Sequence, residues 1–401
     1  MNRPSFDTIA LVLQGGGALG AYQAGVMEGL AEAGIEPDWV AGISIGAING
    51  AIIAGNAPEH RMERLRAFWE TVSQPGFWPA ANPWLEHALE PVDDWRRQAW
   101  NGLSAWRALV EGQRGFFTPR PVAAYFGPPS PSTASFYDTA PLKATLERLV
   151  DFDRINAGET RLTVSAVDVA TGNFEVFDNR HGRWRKRIRA EHVMASGALP
   201  PGFPAVGIED PAPLTGQRDD GKARATRYYW DGGLVSNTPL SQILDDTPHR
   251  DTLAFQVDVW SARGNVPTNV VDAQERMKDI QYSSRTRMVT DTQAVEQRER
   301  RLLRELLERI PPAVRDHDPV CRAAAQQATG RSVCVVQLVY QEKRWDGLAK
   351  DYEFGAVTMR SHWASGLADI ERTLAHPHWL ARPEGVDRFA THDIHRFERR
   401  G

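Results

Sequence analysis

Cysteine is almost absent. Two thiols, Cys321 and Cys334, among 401 residues are too few for a disulfide framework and lack the paired spacing of a zinc site. The expected setting is therefore the reducing cytoplasm. A surplus of one charge is missing too. With 47 Lys and Arg against 51 Asp and Glu the chain carries a formal −4, which leaves no broad cationic face for nucleic acid. Long apolar runs are also lacking. Two uncharged stretches, 8–27 and 39–58, are long enough by count to span a bilayer, but both are rich in glycine, and the second holds Ser44, Asn49 and Asn56. The first has a continuous apolar run only from Ile9 to Leu13 before Gln14, too short for an export signal.

What is present is an ordinary globular composition, 42% hydrophobic and 24% charged, with length for about two to three domains. Ile9–Leu13 reads as a buried strand, Ala18–Ala33 as a helix stopped by Gly34, Trp39–Ile43 as a second strand and Ile45–Ala54 as a second helix. This β-α-β-α opening implies a layered α/β domain with a parallel sheet. Residues 60–138 break the rhythm with Trp69, Trp78, Trp84, Trp95, Trp100 and Trp106. They are expected to form an inserted cap, either an interfacial lid or aromatics packed on the core. Strands follow at Leu162–Val169, at Phe174–Phe177 after the turn Thr171-Gly172-Asn173, at Tyr228–Trp230 after the polar loop 209–227, and at Leu253–Val259. Asn269–Ile310 is expected to be largely helical, with Leu302, Leu303, Leu306, Leu307 and Ile310 on one buried face. Val333–Tyr340 adds a strand and Met359–Leu374 a helix. Alternation in Arg183–Arg189 would put four arginines on one face of a strand, as a solvated edge or a grip on anionic lipid.

Gly15-Gly16-Gly17-Ala18-Leu19-Gly20 reads G-x-G-x-x-G between a strand and a helix. Glycines there let the backbone approach a ligand and aim N–H groups at it. A dinucleotide site would need an acidic residue at the end of the second strand, where Gly42-Ile43-Ser44 stands instead. A phosphate loop would need Lys-Ser/Thr after the glycines, and none follows. An oxyanion hole or tight strand–helix packing remains. Gly42-Ile43-Ser44-Ile45-Gly46 is G-x-S-x-G in strand-turn-helix context, the pattern of a nucleophile elbow. It follows only one strand, too early for the α/β-hydrolase order, and His362, His376 and His378 stand in no recognisable motif. Asp231-Gly232-Gly233 is the better base, because its glycines let a carboxylate turn back on the elbow.

These blocks together resemble the patatin-like phospholipase family. Ala195–Pro204 and Asp231–Leu240 resemble its stretches before and around the aspartate. The resemblance implies a three-layer α/β/α fold with a mainly parallel central sheet over residues 1–260, interrupted by the aromatic-rich cap. A mostly helical C-terminal region, 261–401, would follow. It also implies a Ser-Asp dyad. Ser44 attacks an acyl carbonyl, Asp231 accepts its proton, and N–H groups around Gly15, Gly16 and Gly17 hold the oxyanion, while Gly20, Gly42, Gly46, Gly232 and Gly233 shape the loop, elbow and turn. No metal or cofactor is required. The implied substrate is a lipid acyl ester met at a membrane or lipid surface. Two other readings stand beside it: an esterase or depolymerase on hydroxyacid oligo- and polyesters, and a non-catalytic lipid- or protein-binding module. Leu19 stands where many relatives carry Arg or Lys, which weighs against a preference for anionic head groups. Gln14, where plant relatives have Asp, carries no expectation. With a carboxylate as base, activity is not expected to fall with a histidine-like pKa of about 6.5.

Overall fold

The computed structural model describes residues 3–74, 94–180, 186–209, 226–246, 249–283, 286–328, 331–384 and 388–398. The polar loop expected over 209–227 lies mostly outside them, as do Trp78, Trp84, Arg183 and Arg185.

Continuous apolar sequence makes strands buried on both faces, and these build the centre of the fold. β1 (Thr8–Leu13) is buried along its whole length and lies between two parallel neighbours, β2 (Trp39–Gly42) and β7 (Thr252–Asp258). β3 (Arg161–Asp168) pairs parallel with β2 and antiparallel with β4 (Phe174–Asp178), the hairpin expected from Thr171-Gly172-Asn173. β6 (Thr226–Asp231) runs antiparallel to β3 and carries β5 (Val206–Glu209) outside it. On the other side β8 (Val333–Val339) and β9 (Phe389–Asp393) extend the sheet in parallel from β7. The nine-stranded order is β9-β8-β7-β1-β2-β3-β6-β5, with β4 on β3. A mainly parallel sheet in a mixed α/β fold is the architecture the sequence implies.

Two features depart from the expected layout. The sheet does not stop at residue 260, because β8 and β9 belong to it. The C-terminal helix α8 (Ala356–Leu374) also packs directly on α1 (Ala21–Glu32). Their crossing is close enough that a Cβ at Gly25 would strike the carbonyl of Trp363, and one at Gly366 the carbonyl of Tyr22. The aromatic cap, for its part, opens with core structure. α3 (Pro58–Val72) buries Leu65, Phe68, Trp69 and Val72, and the Trp69 indole donates to Asn49 Oδ1 at 3.1 Å. Trp106, on α4 (Asp94–Glu111), is 59% exposed. The same α4 surface carries exposed Leu103 and Val110.

Helical spacing also overstates burial further along. Asn269–Ile310 resolves into α6 (Val270–Tyr282) and α7 (Thr286–Arg309), and on α7 only Leu307 of the expected face is buried, with Leu302 and Leu306 more than half exposed. α7 meets the body partly through polar contacts such as Gln293 Nε2 to Asp245 Oδ1 at 3.0 Å, so the spacing there reports amphipathicity without full burial. In the basic stretch, 186–189 is not a strand. Arg187 reaches Asp153 at 2.8 Å and Arg189 reaches Glu191 at 3.8 Å, so the expected strand alternation is not found in the described part of the stretch. Among the described residues no helix is long and apolar enough to cross a membrane.

Candidate active site

The carboxyl ends of β1, β2 and β7 lie level, since Leu13 is in register with both Gly42 and Val257. Ligand sites of open parallel sheets form at such ends, where the loops leave the strands. The glycine loop follows β1, the serine elbow follows β2 and Trp260 lies just beyond β7, so the topology gathers all three at one place.

Ser44 sits between β2 and α2 (Ile45–Ala54) with φ 56° and ψ −122°, a left-handed conformation that a side chain adopts only under constraint. Gly42 and Gly46 make the bend possible by close packing, since a Cβ on the first would meet the carbonyl of Gly46 and on the second the carbonyl of Leu13. The Ser44 N–H donates at 3.0 Å to Oγ of Ser196, the last residue of α5 (Ala190–Ser196), which ties the elbow to the Ala195–Pro204 stretch. Next to that serine, Gly197 keeps the space beside Ser44 Oγ open.

Asp231 ends β6 and is buried, with its N–H bonded to the carbonyl of Ala198 at 3.0 Å. Its Oδ1 accepts from the Gly233 N–H at 2.7 Å, and the Ser44 hydroxyl lies near enough to favour the charged carboxylate. Burial disfavours the charged form and pushes the carboxyl from an ordinary 3.8 up to about 7, against the pull of those two donors. The two residues singled out as nucleophile and base thus face one cavity. No histidine lines the cavity they share among the described residues. His362 is buried elsewhere, beside Asp346.

The glycine loop is held by residues the sequence reading passed over. Gln14 is buried, and its Oε1 accepts from the N–H groups of Val259 at 2.7 Å and Trp260 at 2.9 Å. Its Nε2 donates to Thr238 Oγ1 at 3.0 Å and to the Tyr282 carbonyl at 3.1 Å. Far from neutral, Gln14 fastens the loop to β7 and to α6. The Gly15 N–H, expected among the oxyanion donors, is spent on the Asn237 carbonyl at 3.3 Å. Gly16 is extended, Gly17 has φ +55°, and their N–H groups have no backbone acceptor among the described residues. The Ala18 N–H then bonds the Asp351 carbonyl at 2.8 Å.

Ser44, Asp231, Gly15, Gly16, Gly17 and Gly233 line one cavity of about 460 Å³. Gly20, Gly42, Gly46 and Gly232 do not; they let the surrounding segments pack. Gly20 lies against Ile45, and Gly232 against the Ser165 carbonyl. The walls are aromatic. Phe117 meets Phe203 at 5.3 Å and Tyr137 at 4.8 Å between ring centroids, and Phe116 meets Phe354 at 5.7 Å. No lining side chain among the described residues is cationic, and the second carboxylate, Asp351, is paired with Lys278 at 2.5 Å. Tyr282, Asp351, Tyr352 and Phe354 all come from beyond residue 260. Asn237 could have been suspected from its place in the Asp231–Leu240 stretch, but nothing local marks Tyr282 or Asp351.

Among known proteins, the family model described as patatin-like phospholipase matches residues 11–244, and a second, described as patatin phospholipase, matches 280–385. Lysophospholipase nte1 of Aspergillus terreus is 54% identical over 50 residues, 12% of this chain and 3% of that protein. Patatin-like phospholipase domain-containing protein 7 of Rattus norvegicus is 54% identical over 48 residues, 12% of this chain and 4% of that protein. The matched segment is therefore a few per cent of the length of either relative. Of solved structures, VipD from Legionella pneumophila aligns with 89% of this chain and 67% of its own, at 15% identity and a TM-score of 0.30.

Proposed function

The chain belongs to the patatin-like phospholipase family, and from that premise we propose that it is a serine hydrolase of lipid acyl esters, with Ser44 as nucleophile and Asp231 as its base. The observation that carries this reading is a strained elbow serine and a buried carboxylate that line the same aromatic cavity.

In acylation Ser44 Oγ bonds to the acyl carbon while its proton passes to Asp231, and the carbonyl electron pair moves onto oxygen. The N–H groups of Gly16 and Gly17 receive that oxyanion; Gly15 is left out because its N–H is engaged. Collapse breaks the ester bond, and the departing alcohol takes the proton from Asp231. Water then gives a proton to the same carboxylate, attacks the acyl-serine and releases the fatty acid, with Ser44 recovering its proton. Apolar walls without a cation suit an acyl chain better than an anionic head group. Turnover of an ester series from short nitrophenyl esters to long-chain phospholipid should rise with acyl length. A short-chain optimum would favour small esters or hydroxyacid oligoesters instead, and no turnover on any of them would leave a binding module.

The raised Asp231 pKa changes the expected pH dependence. A base must be unprotonated to accept the serine proton, so kcat/KM should climb with pH and level off above about 7. This limb falls where a histidine would put it, although a carboxyl carries it. Temperature separates the two, because carboxyl ionisation has a small enthalpy and imidazole ionisation a large one. A limb that moves strongly with temperature would remove Asp231 from the role of base.

A further inference from the structure

Asn237 holds the Gly15 peptide from two sides. The Gly15 carbonyl accepts from Asn237 Nδ2 at 3.0 Å and from Trp260 Nε1 at 2.8 Å, while the Gly15 N–H donates to the Asn237 carbonyl. Asn237 is itself aimed: the same Nδ2 donates to the Tyr282 carbonyl at 2.8 Å. A carboxamide has two N–H bonds to give, and here one goes to the glycine loop and one to the end of α6. A trans peptide sends its C=O and N–H in opposite directions, so fixing the Gly15 carbonyl also fixes the Gly16 N–H. Gly16 has no side chain to do this for itself.

We propose that Asn237 is a positioning residue that locks the Gly15–Gly16 peptide with its N–H turned to the scissile carbonyl, and that it takes its own position from the C-terminal half of the chain. The proposal rests on the reading of Gly16 as an oxyanion donor. It gives that half a part in the chemistry, since both ends of the glycine loop lean on it, Gly15 through Asn237 and Tyr282 and Ala18 through Asp351. The two supports are braced together. Lys278 of α6 bonds the Leu348 carbonyl at 3.1 Å and the Asp351 carboxylate, and buried Lys350 reaches Asp279 at 2.8 Å and Glu342 at 2.6 Å.

The test uses the full chain and a matched pair of substrates, nitrophenyl hexanoate and its thiono analogue with sulfur in place of the carbonyl oxygen. Rigid donors placed for oxygen fit the larger sulfur poorly, so the wild type should prefer the oxygen ester. Asn237→Ala should lower kcat on the oxygen ester by roughly ten- to a hundredfold, with KM little changed, and should narrow the oxygen-to-sulfur preference. Trp260→Phe, which keeps a ring and loses the indole N–H, should do the same more weakly. No preference in the wild type would defeat the Gly16 reading itself. A wild-type preference that survives intact in Asn237→Ala, whether or not activity falls, would overturn the positioning role alone. Should Asn237→Ala not fold, Asn237→Asp, which keeps the shape and loses both Nδ2 N–H bonds, takes its place, and an unchanged preference there overturns the role equally.

Discussion

Ser44→Ala and Asp231→Asn should each lower kcat on an acyl ester by roughly ten-thousandfold or more, because members of a catalytic unit fail together rather than in part. The two variants should part company in stability. A carboxyl whose folded pKa lies above its unfolded value binds its proton more tightly when folded, so ionisation opposes folding between the ordinary 3.8 and about 7. The wild type therefore loses stability as pH rises through that window, and Asp231→Asn, which cannot ionise, does not. Unfolding free energies of the pair, from denaturant titration, should diverge from pH 4 to pH 8 by an amount on the order of a few kcal/mol, with the inactive variant the more stable at high pH. Parallel curves would mean that the carboxyl is not held neutral by its surroundings. Ser44→Ala keeps the buried carboxyl and removes one group that favours its charge, so its loss of stability with pH should be at least as large as in the wild type.

Gly17→Ala carries the second large effect. The residue has φ +55°, which a side chain rarely tolerates, and its Cβ would fall on the Asp351 carbonyl oxygen, the acceptor that holds Ala18. The loop must move, so both free N–H groups leave their places. Displacing such donors costs about a hundred- to a thousandfold in kcat, and the loss should fall on kcat rather than KM. Gly102→Ala, on α4, is the control, because an added Cβ there meets nothing within 4 Å and should leave turnover alone. Equal kinetics for the two variants would show that the glycine loop takes no part in the reaction.

Local pattern carried much of this site. The run Ile9–Leu13 lies within β1, Ile45–Ala54 is α2, and the elbow and Asp-Gly-Gly occupy the turns expected of them. Their signals are short-range, a run of apolar residues or a glycine at a sharp bend, and the chemistry of each is decided within a few residues. What stayed hidden depends on partners far along the chain. Gln14 looks like any polar residue after a strand, and only the neighbouring backbones of Val259, Trp260 and Tyr282 make it an anchor. Leu302 misleads because spacing tells which residues share a face of a helix, not what that face meets. Nor does any local feature of Val333–Val339 say that it joins the sheet two places from β1.

That distant join has a consequence for how the protein is made. Of the nine strands of this sheet β1 is synthesised before the others, yet it stays one-sided until Thr252–Asp258 has been made to lie beside it. The glycine loop lacks its last support until Asp351 has followed. A chain made only as far as β7 carries Ser44 without the braced pocket around it, and under the proposed function it would gain activity on acyl esters only once Asp351 is in place.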